Sequence, residues 1–171
     1  MSDVNKLEAA LALNRDHEHC FLKSPVGWLK ISADLEGVTS IEFLKRAPAT
    51  DIKTVNIPHL KDAYRQLNEY FKGDRLSFSL QLNPRGTDFQ KSVWTGLSKI
   101  PFGKTVSYKE LAETVGCPKG ARAVGMANNK NPLPIVVPCH RVLGHDGAMV
   151  GYAPGVSIKE RLLELEGVEL A

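Results

Sequence analysis

Residues able to do chemistry concentrate in one short stretch, Asn131-Pro132-Leu133-Pro134-Ile135-Val136-Val137-Pro138-Cys139-His140-Arg141-Val142. Three prolines forbid a regular helix and stiffen an apolar backbone, so the Cys-His-Arg that ends it is held in a fixed place. A thiol reacts as its thiolate, and neighbouring His and Arg are the side-chain types that lower its pKa toward neutrality. In an extended segment successive side chains point to opposite sides, so His140 is expected to reach the Cys139 sulfur through a bridging water and not directly. A third group is then needed to orient the imidazole. On composition alone a Cys beside a His is more often a buried structural pair. Cys20 and Cys117 read as inert small hydrophobes. The run His17-Glu18-His19-Cys20 has no matching cluster to complete a tetrahedral zinc site, so no metal is expected.

The elements that must position this stretch follow from periodicity. His19–Lys23, Gly27–Ala33 and Val38–Phe43 are short, partly alternating runs separated by turn residues and read as a small antiparallel sheet. Pro58 can open a helix whose apolar residues, Leu60, Ala63, Tyr64, Leu67, Tyr70 and Phe71, recur at three and four residues before Gly73. Leu76, Phe78, Leu80 and Leu82 alternate with polar residues and predict a strand. Asn83-Pro84-Arg85-Gly86 reads as a linker, dividing the chain into lobes 1–85 and 86–171. From Thr87 the pattern is helical, with Phe89, Val93, Trp94, Leu97 and Ile100 on one stripe. Ser107 and Glu110 form a capping-box signature for a helix with Tyr108, Leu111, Ala112 and Val115 inward, ended by Gly116. A further helix over 119–129 completes a helix-turn-helix outline. Residues 157–166 predict a last helix, packed through Ile158, Leu162, Leu163 and Leu165, with Gly167 after it. Leu7–Leu13 reads as part of an N-terminal helix and not as a signal peptide.

The 171 residues suit one compact unit or two packed lobes. With 43% hydrophobic and 24% charged residues, disordered, collagen-like and disulfide-scaffold classes are excluded. Apolar stretches of a few residues are far below the ~20 a bilayer requires, so no membrane is expected. Three widely spaced cysteines point to a reducing cytoplasm. The net charge of +3 says little, but its distribution is uneven: seven basic residues against two acidic ones between Lys99 and Arg141 give +5, leaving −2 elsewhere.

The string Pro138-Cys139-His140-Arg141-Val142, with Asn131-Pro132 before it and Gly151-Tyr152 and Lys159-Glu160 after it, resembles the O6-alkylguanine-DNA alkyltransferase family, also known as methylated-DNA protein-cysteine methyltransferases. So do Ser107-Tyr108-Lys109-Glu110-Leu111 and Ala121-Arg122-Ala123-Val124-Gly125. The resemblance is strong over residues 86–167 and covers the first half only in element order. It implies an α/β N-terminal lobe of ribonuclease H-like outline and a mainly α-helical C-terminal lobe containing a helix-turn-helix. It implies direct damage reversal: irreversible, stoichiometric transfer of an alkyl group from O6 of guanine, and from O4 of thymine, in duplex DNA to Cys139. No cofactor is expected, because the thioether product has no leaving group that water readily displaces.

By the same resemblance Glu166, His140, water and Cys139 form a proton relay, with Asn131 bracing the site. Read without the family, Glu166 is a solvated helix-end charge. Arg122 matches a finger residue that fills the gap left by a flipped base, and Tyr108 a tyrosine that rotates the phosphate and helps protonate the leaving base. The small residues Ala121, Ala123 and Gly125 let the helix approach the minor groove, which carries little sequence information. Tyr108, Pro134, Tyr152 and backbone groups of Cys139, Val142 and Ala153 would complete the pocket. Ala153 stands where some relatives carry Ser and Pro154 where Gly is common, so bulky O6-benzyl substrates are expected to react poorly. The expected partner is double-stranded DNA containing alkylated bases, bound by a monomer, with cooperative assembly on DNA left open. Two other classes fit less well: a non-catalytic lesion-recognition protein that recruits other repair factors, which Cys139 argues against, and a helix-turn-helix transcription regulator.

Overall fold

The computed structural model describes residues 17–49 and 56–170; the helix expected over Leu7–Leu13 lies outside them. Strands β1 (His17–Ser24), β2 (Gly27–Asp34) and β3 (Val38–Phe43) form an antiparallel sheet in chain order. Register places Cys20 opposite Ile31 and Ile31 opposite Ile41, so buried side chains line up across one face. That face packs on helix α1 (Pro58–Phe71), which buries Leu60, Ala63, Gln66, Leu67 and Tyr70. Pro58 occupies the first turn, and no side chain caps the helix from Ile57. Instead the Glu18 carboxylate of β1 accepts from the backbone N–H groups of Asn56 and Ile57, at 2.8 and 3.0 Å.

The strand expected over Leu76–Leu82 does not form as such. Leu76 and Ser77 lie in a bend, 78–81 have no regular assignment, and the segment meets the sheet at a parallel bridge between Val38 and Leu82. Gln66 explains the difference: its side-chain amide accepts from Ser79 N at 2.9 Å and donates to Ser79 O at 3.1 Å, taking the place of a neighbouring strand. Gly37 permits the close approach at the bridge, since a Cβ there would lie 2.7 Å from Gln81 O.

The second half is helical. Helix α2 (Asp88–Leu97) is capped by Thr87 in a capping box with Gln90, α3 (Tyr108–Thr114) by Ser107 in a capping box with Glu110, and α4 is Ala121–Asn129. Phe89, expected on the inward stripe of α2, is exposed, whereas Val93, Trp94 and Leu97 are buried. Trp94 Nε1 donates to Ala127 O at 2.9 Å and ties α2 to α4. Strands β4 (Val106–Ser107) and β5 (Val142–Leu143) pair in parallel and join the start of α3 to the segment after Cys139. The last helix, α5 (Val156–Leu165), ends at Gly167 with φ +75°. Its buried stripe is Lys159, Leu162, Leu163 and Glu166, and Leu165 faces outward. One hydrophobic cluster runs through both halves. Among the described residues no helix is long and apolar enough to cross a membrane.

Candidate active site

The proline-rich segment folds back on itself. Asn131 Nδ2 donates to Val137 O at 2.8 Å, Asn131 Oδ1 accepts from Leu133 N at 2.9 Å, and Val137 N donates to Leu133 O at 2.9 Å. Inside this loop Ile135 is buried with φ +76°, an uncommon conformation for a β-branched residue that persists only where its surroundings over-determine it. The first half of the chain holds the loop as well, because Ile41 N of β3 donates to Pro132 O at 2.8 Å.

Cys139, His140 and Arg141 form one 3-10 turn and not the extended run expected from the prolines. All three are buried. Alternation along a strand therefore does not govern where their side chains point. Burial pushes the Cys139 thiol up from its ordinary pKa, against opposing contributions from the Asn131 and Tyr152 side chains and the more distant Lys159 ammonium. Its Sγ lies 3.9 Å from Tyr152 Oη. The expectation that Arg141 lowers the thiol pKa fails on geometry, since the Arg141 guanidinium is spent on a carboxylate.

That carboxylate is Glu166. Although carried at the end of α5, it is buried, not solvated. Its Oε1 accepts from Arg141 Nη2 at 2.7 Å, from Tyr70 Oη at 2.9 Å and from His140 Nε2 at 2.8 Å, while Oε2 accepts from Arg141 Nε at 2.9 Å. Burial alone would raise its pKa; the hydrogen bonds and charges of His140 and Arg141 overcome this and hold it at about 2. Arg141 Nη1 is anchored on Ile100 O at 2.7 Å and its guanidinium lies over the Phe102 ring.

An ionised carboxylate only accepts, so His140 Nε2 carries the hydrogen and Nδ1 carries the free lone pair. Nδ1 is buried without a hydrogen-bond partner among the described residues. Burial, the largest influence, lowers the His140 pKa despite Glu166, so the ring is neutral and basic at Nδ1. The arrangement can take a proton at Nδ1 while Glu166 steadies the imidazolium that results.

Beside the thiol opens a pocket of about 320 Å³ lined by Asn128, Asn131, Pro134, Cys139, Tyr152, Ala153 and Pro154 among others. Ile41, Glu42 and Phe43 of β3 also line it. Val142 and Tyr108 do not line it. Val142 is buried in β5, and its carbonyl accepts from Lys159 Nζ at 2.6 Å. Tyr108 begins α3, half-buried, with its ring across α4 at Gly125. Arg122 and Ala123 are exposed on α4, and Ala121 and Gly125 are half-buried. The sequence-predicted residues thus form one group around Cys139, from buried His140 and Glu166 out to exposed Ala153, and a second, exposed to half-buried group on α4, with Tyr108 packed against the latter. Among the described residues no three His, Cys, Asp or Glu side chains come together to hold a metal.

Reasoning from residues alone missed Tyr70, Lys159 and the anchoring role of Arg141. Lys159 could have been found: positions 159, 162, 163 and 166 share one helical face, so a Leu-rich stripe carried a Lys and a Glu inward together. Burial lowers the Lys159 pKa, and the ammonium lies 5.8 Å from the centre of the Tyr152 ring. Tyr70 left no local signal, because it meets Glu166 from 96 positions away.

Comparison with known proteins places this geometry. Residues 19–84 match the family model described as 6-O-methylguanine DNA methyltransferase, ribonuclease-like domain, and residues 88–168 the model described as 6-O-methylguanine DNA methyltransferase, DNA binding domain. A methylated-DNA–protein-cysteine methyltransferase of Methanosarcina acetivorans is 46% identical over 152 residues, covering 87% of this chain and 97% of its own. The crystal structure of the Mycobacterium tuberculosis O6-methylguanine methyltransferase superposes with a TM-score of 0.77 at 41% identity, over 88% of this chain and 92% of that one. A Mycobacterium tuberculosis OGT in complex with DNA gives the same TM-score at 42% identity, over 86% and 91%. On this agreement of sequence, fold and coverage in both halves, the chain belongs to the 6-O-methylguanine DNA methyltransferase family.

Proposed function

We propose that this protein repairs alkylated duplex DNA by moving the alkyl group from O6 of guanine, and from O4 of thymine, onto Cys139. The observation that carries the reading is the Glu166–His140 pair, which leaves a bare, buried Nδ1 next in sequence to a thiol that walls a pocket. The thiol is protonated at rest because burial disfavours the thiolate. Reaction therefore begins when His140 Nδ1 takes the Cys139 proton, through one water, and Glu166 stabilises the charged ring. The sulfur attacks the alkyl carbon, the C–O6 bond breaks, and its electron pair stays on the base. A thioether remains, so each molecule acts once and needs no cofactor. Asn131 holds the loop that fixes Cys139.

A base inside a duplex is out of reach of a buried sulfur and must be flipped out, at a cost of a few kcal/mol. On this reading Arg122 fills the space it leaves, and the small side chains of Ala121, Ala123 and Gly125 let α4 into the minor groove; the exposure of Arg122 on α4 supports the assignment. The excess of basic residues between Lys99 and Arg141 supplies affinity that does not depend on sequence. Lobes 1–85 and 86–171, a monomeric state and a cytoplasmic location complete the reading; the free thiols of Cys117 and Cys139 support the last.

The test is intact mass after mixing the protein with duplex DNA carrying one O6-methylguanine, followed by peptide mapping. One added methyl on Cys139, in one-to-one yield, is expected. Tight lesion binding with no mass change would replace this reading with non-catalytic lesion recognition.

A further inference from the structure

Asn128, in the last turn of α4, is buried at 1% exposure, yet neither Oδ1 nor Nδ2 has a hydrogen-bond partner among the described residues. A buried amide with both ends unsatisfied is unfavourable, and native structures retain one where something else completes it. Asn128 also lines the pocket that holds Cys139. One turn earlier on the same helix face, a Cβ added at Gly125 would lie 3.6 Å from Cδ1 and Cε1 of Tyr108. The Tyr108 ring therefore lies against the face of α4 that carries Asn128 one turn on. Burial raises the phenol pKa most, the neighbouring Cys139 adds to the rise, and the Asn128 amide works against it. The two groups feel each other without completing a hydrogen bond.

On the alkyl-transfer reading above, we propose that Asn128 is a positioning residue for Tyr108: on entry of the base its Nδ2–H donates to the phenol oxygen and turns the phenol proton toward the leaving purine. A phenol has one proton and acceptor lone pairs. With a lone pair held by the amide, the proton is directed away from Asn128 and toward the incoming base, and charge that builds on the oxygen as the proton is shared is stabilised. The S–C bond forms, the C–O6 bond breaks with its electrons going to the base, and Tyr108 hydrogen-bonds to the base as that charge develops. The proton that finally neutralises the purine is the one Cys139 gave to His140. Asn128 touches none of the reacting atoms.

Asn128→Leu, close in volume and without an amide, tests this, with Tyr108→Phe and the double variant. Single-turnover methyl transfer from O6-methylguanine duplex at saturating lesion should fall about tenfold, a fraction of what proton donation to a leaving group contributes. Lesion affinity should change less than about threefold, and Cys139 alkylation by iodoacetamide, whose iodide leaves without a proton, less than about twofold. In the Tyr108→Phe background the Leu substitution should add less than about twofold, since both act on one step. The unfolding midpoint should not fall, because an unsatisfied amide is removed; Asn128→Ala repeats the cycle if Asn128→Leu is poorly folded. Unchanged transfer, equal slowing of methyl transfer and iodoacetamide labelling, or the full tenfold loss in the Tyr108→Phe background would each overturn the proposal. Failure of the unsubstituted protein to take up methyl would instead sink the alkyl-transfer reading.

Discussion

Replacing Glu166 with Gln probes the centre of the site, and its size can be worked from the structure. The carboxylate is held at about 2 against an ordinary 4.5, with its side chain fully buried. That difference corresponds to about 3 kcal/mol of stability at neutral pH. Removing one partner of a buried ion pair gives a similar figure, about 3–5 kcal/mol, because the Arg141 charge is left uncompensated. The sign follows from the depressed value: the stabilisation is complete above pH 4.5 and is lost as pH falls toward 2. His140, whose pKa burial also lowers, adds a separate loss of stability as pH drops below its ordinary 6.5. Urea unfolding of both proteins at pH 7 and pH 3 should therefore show a gap of about 3 kcal/mol that shrinks to about half at the lower pH. A Gln amide can also donate to Nε2, which moves the hydrogen to Nδ1 and removes the base, so alkyl transfer should slow on the order of 10²-fold. A gap below about 1 kcal/mol at pH 7, or one of equal size at both pH values, would refute the account of Glu166 as a buried anion.

Cys139→Ala should abolish methyl uptake while lesion binding, followed by gel shift, stays within about threefold, since the pocket walls are kept. Arg122→Ala should slow repair of duplex DNA at least about tenfold more than reaction with free O6-methylguanine, and should reduce the salt slope of DNA binding by about one; equal loss of both activities would count against insertion into the stack. Tyr70→Phe should cost about 1–2 kcal/mol in urea unfolding, because it deletes one donor to Glu166 and keeps the ring packing against Phe71, Phe78 and Phe102. Free O6-benzylguanine should label Cys139 slowly, because Ala153 and Pro154 line the pocket; rapid labelling by mass spectrometry would remove that expectation.

Local signals were readable wherever a local interaction decides the structure. Ser107 with Glu110 marked the start of α3, and Pro58 marked the start of α1, because caps and first turns are made by neighbours in sequence. The alternation from Leu76 to Leu82 misled, since a strand needs a partner and Gln66 supplied the hydrogen bonds instead. In the site, the Pro-rich run announced a rigid cysteine, but not the 3-10 turn that reorients it. Glu166 looked like a solvated charge because its ligands come from Tyr70, His140 and Arg141, far away in the chain. The family resemblance named it where pattern could not. Phe89 and Leu165 show the converse error, apolar residues that the packing leaves outside.

The distance in sequence between the thiol and the carboxylate also bears on the state of the imidazole. Glu166 follows His140 by 26 positions. Tyr70 of α1, His140 and Arg141 of the 3-10 turn, and Glu166 at the end of α5 are brought together only in the folded chain. The tautomer that leaves Nδ1 free is therefore a property of tertiary structure, and whatever loosens α5 from the 3-10 turn also frees the imidazole to carry its hydrogen on either nitrogen.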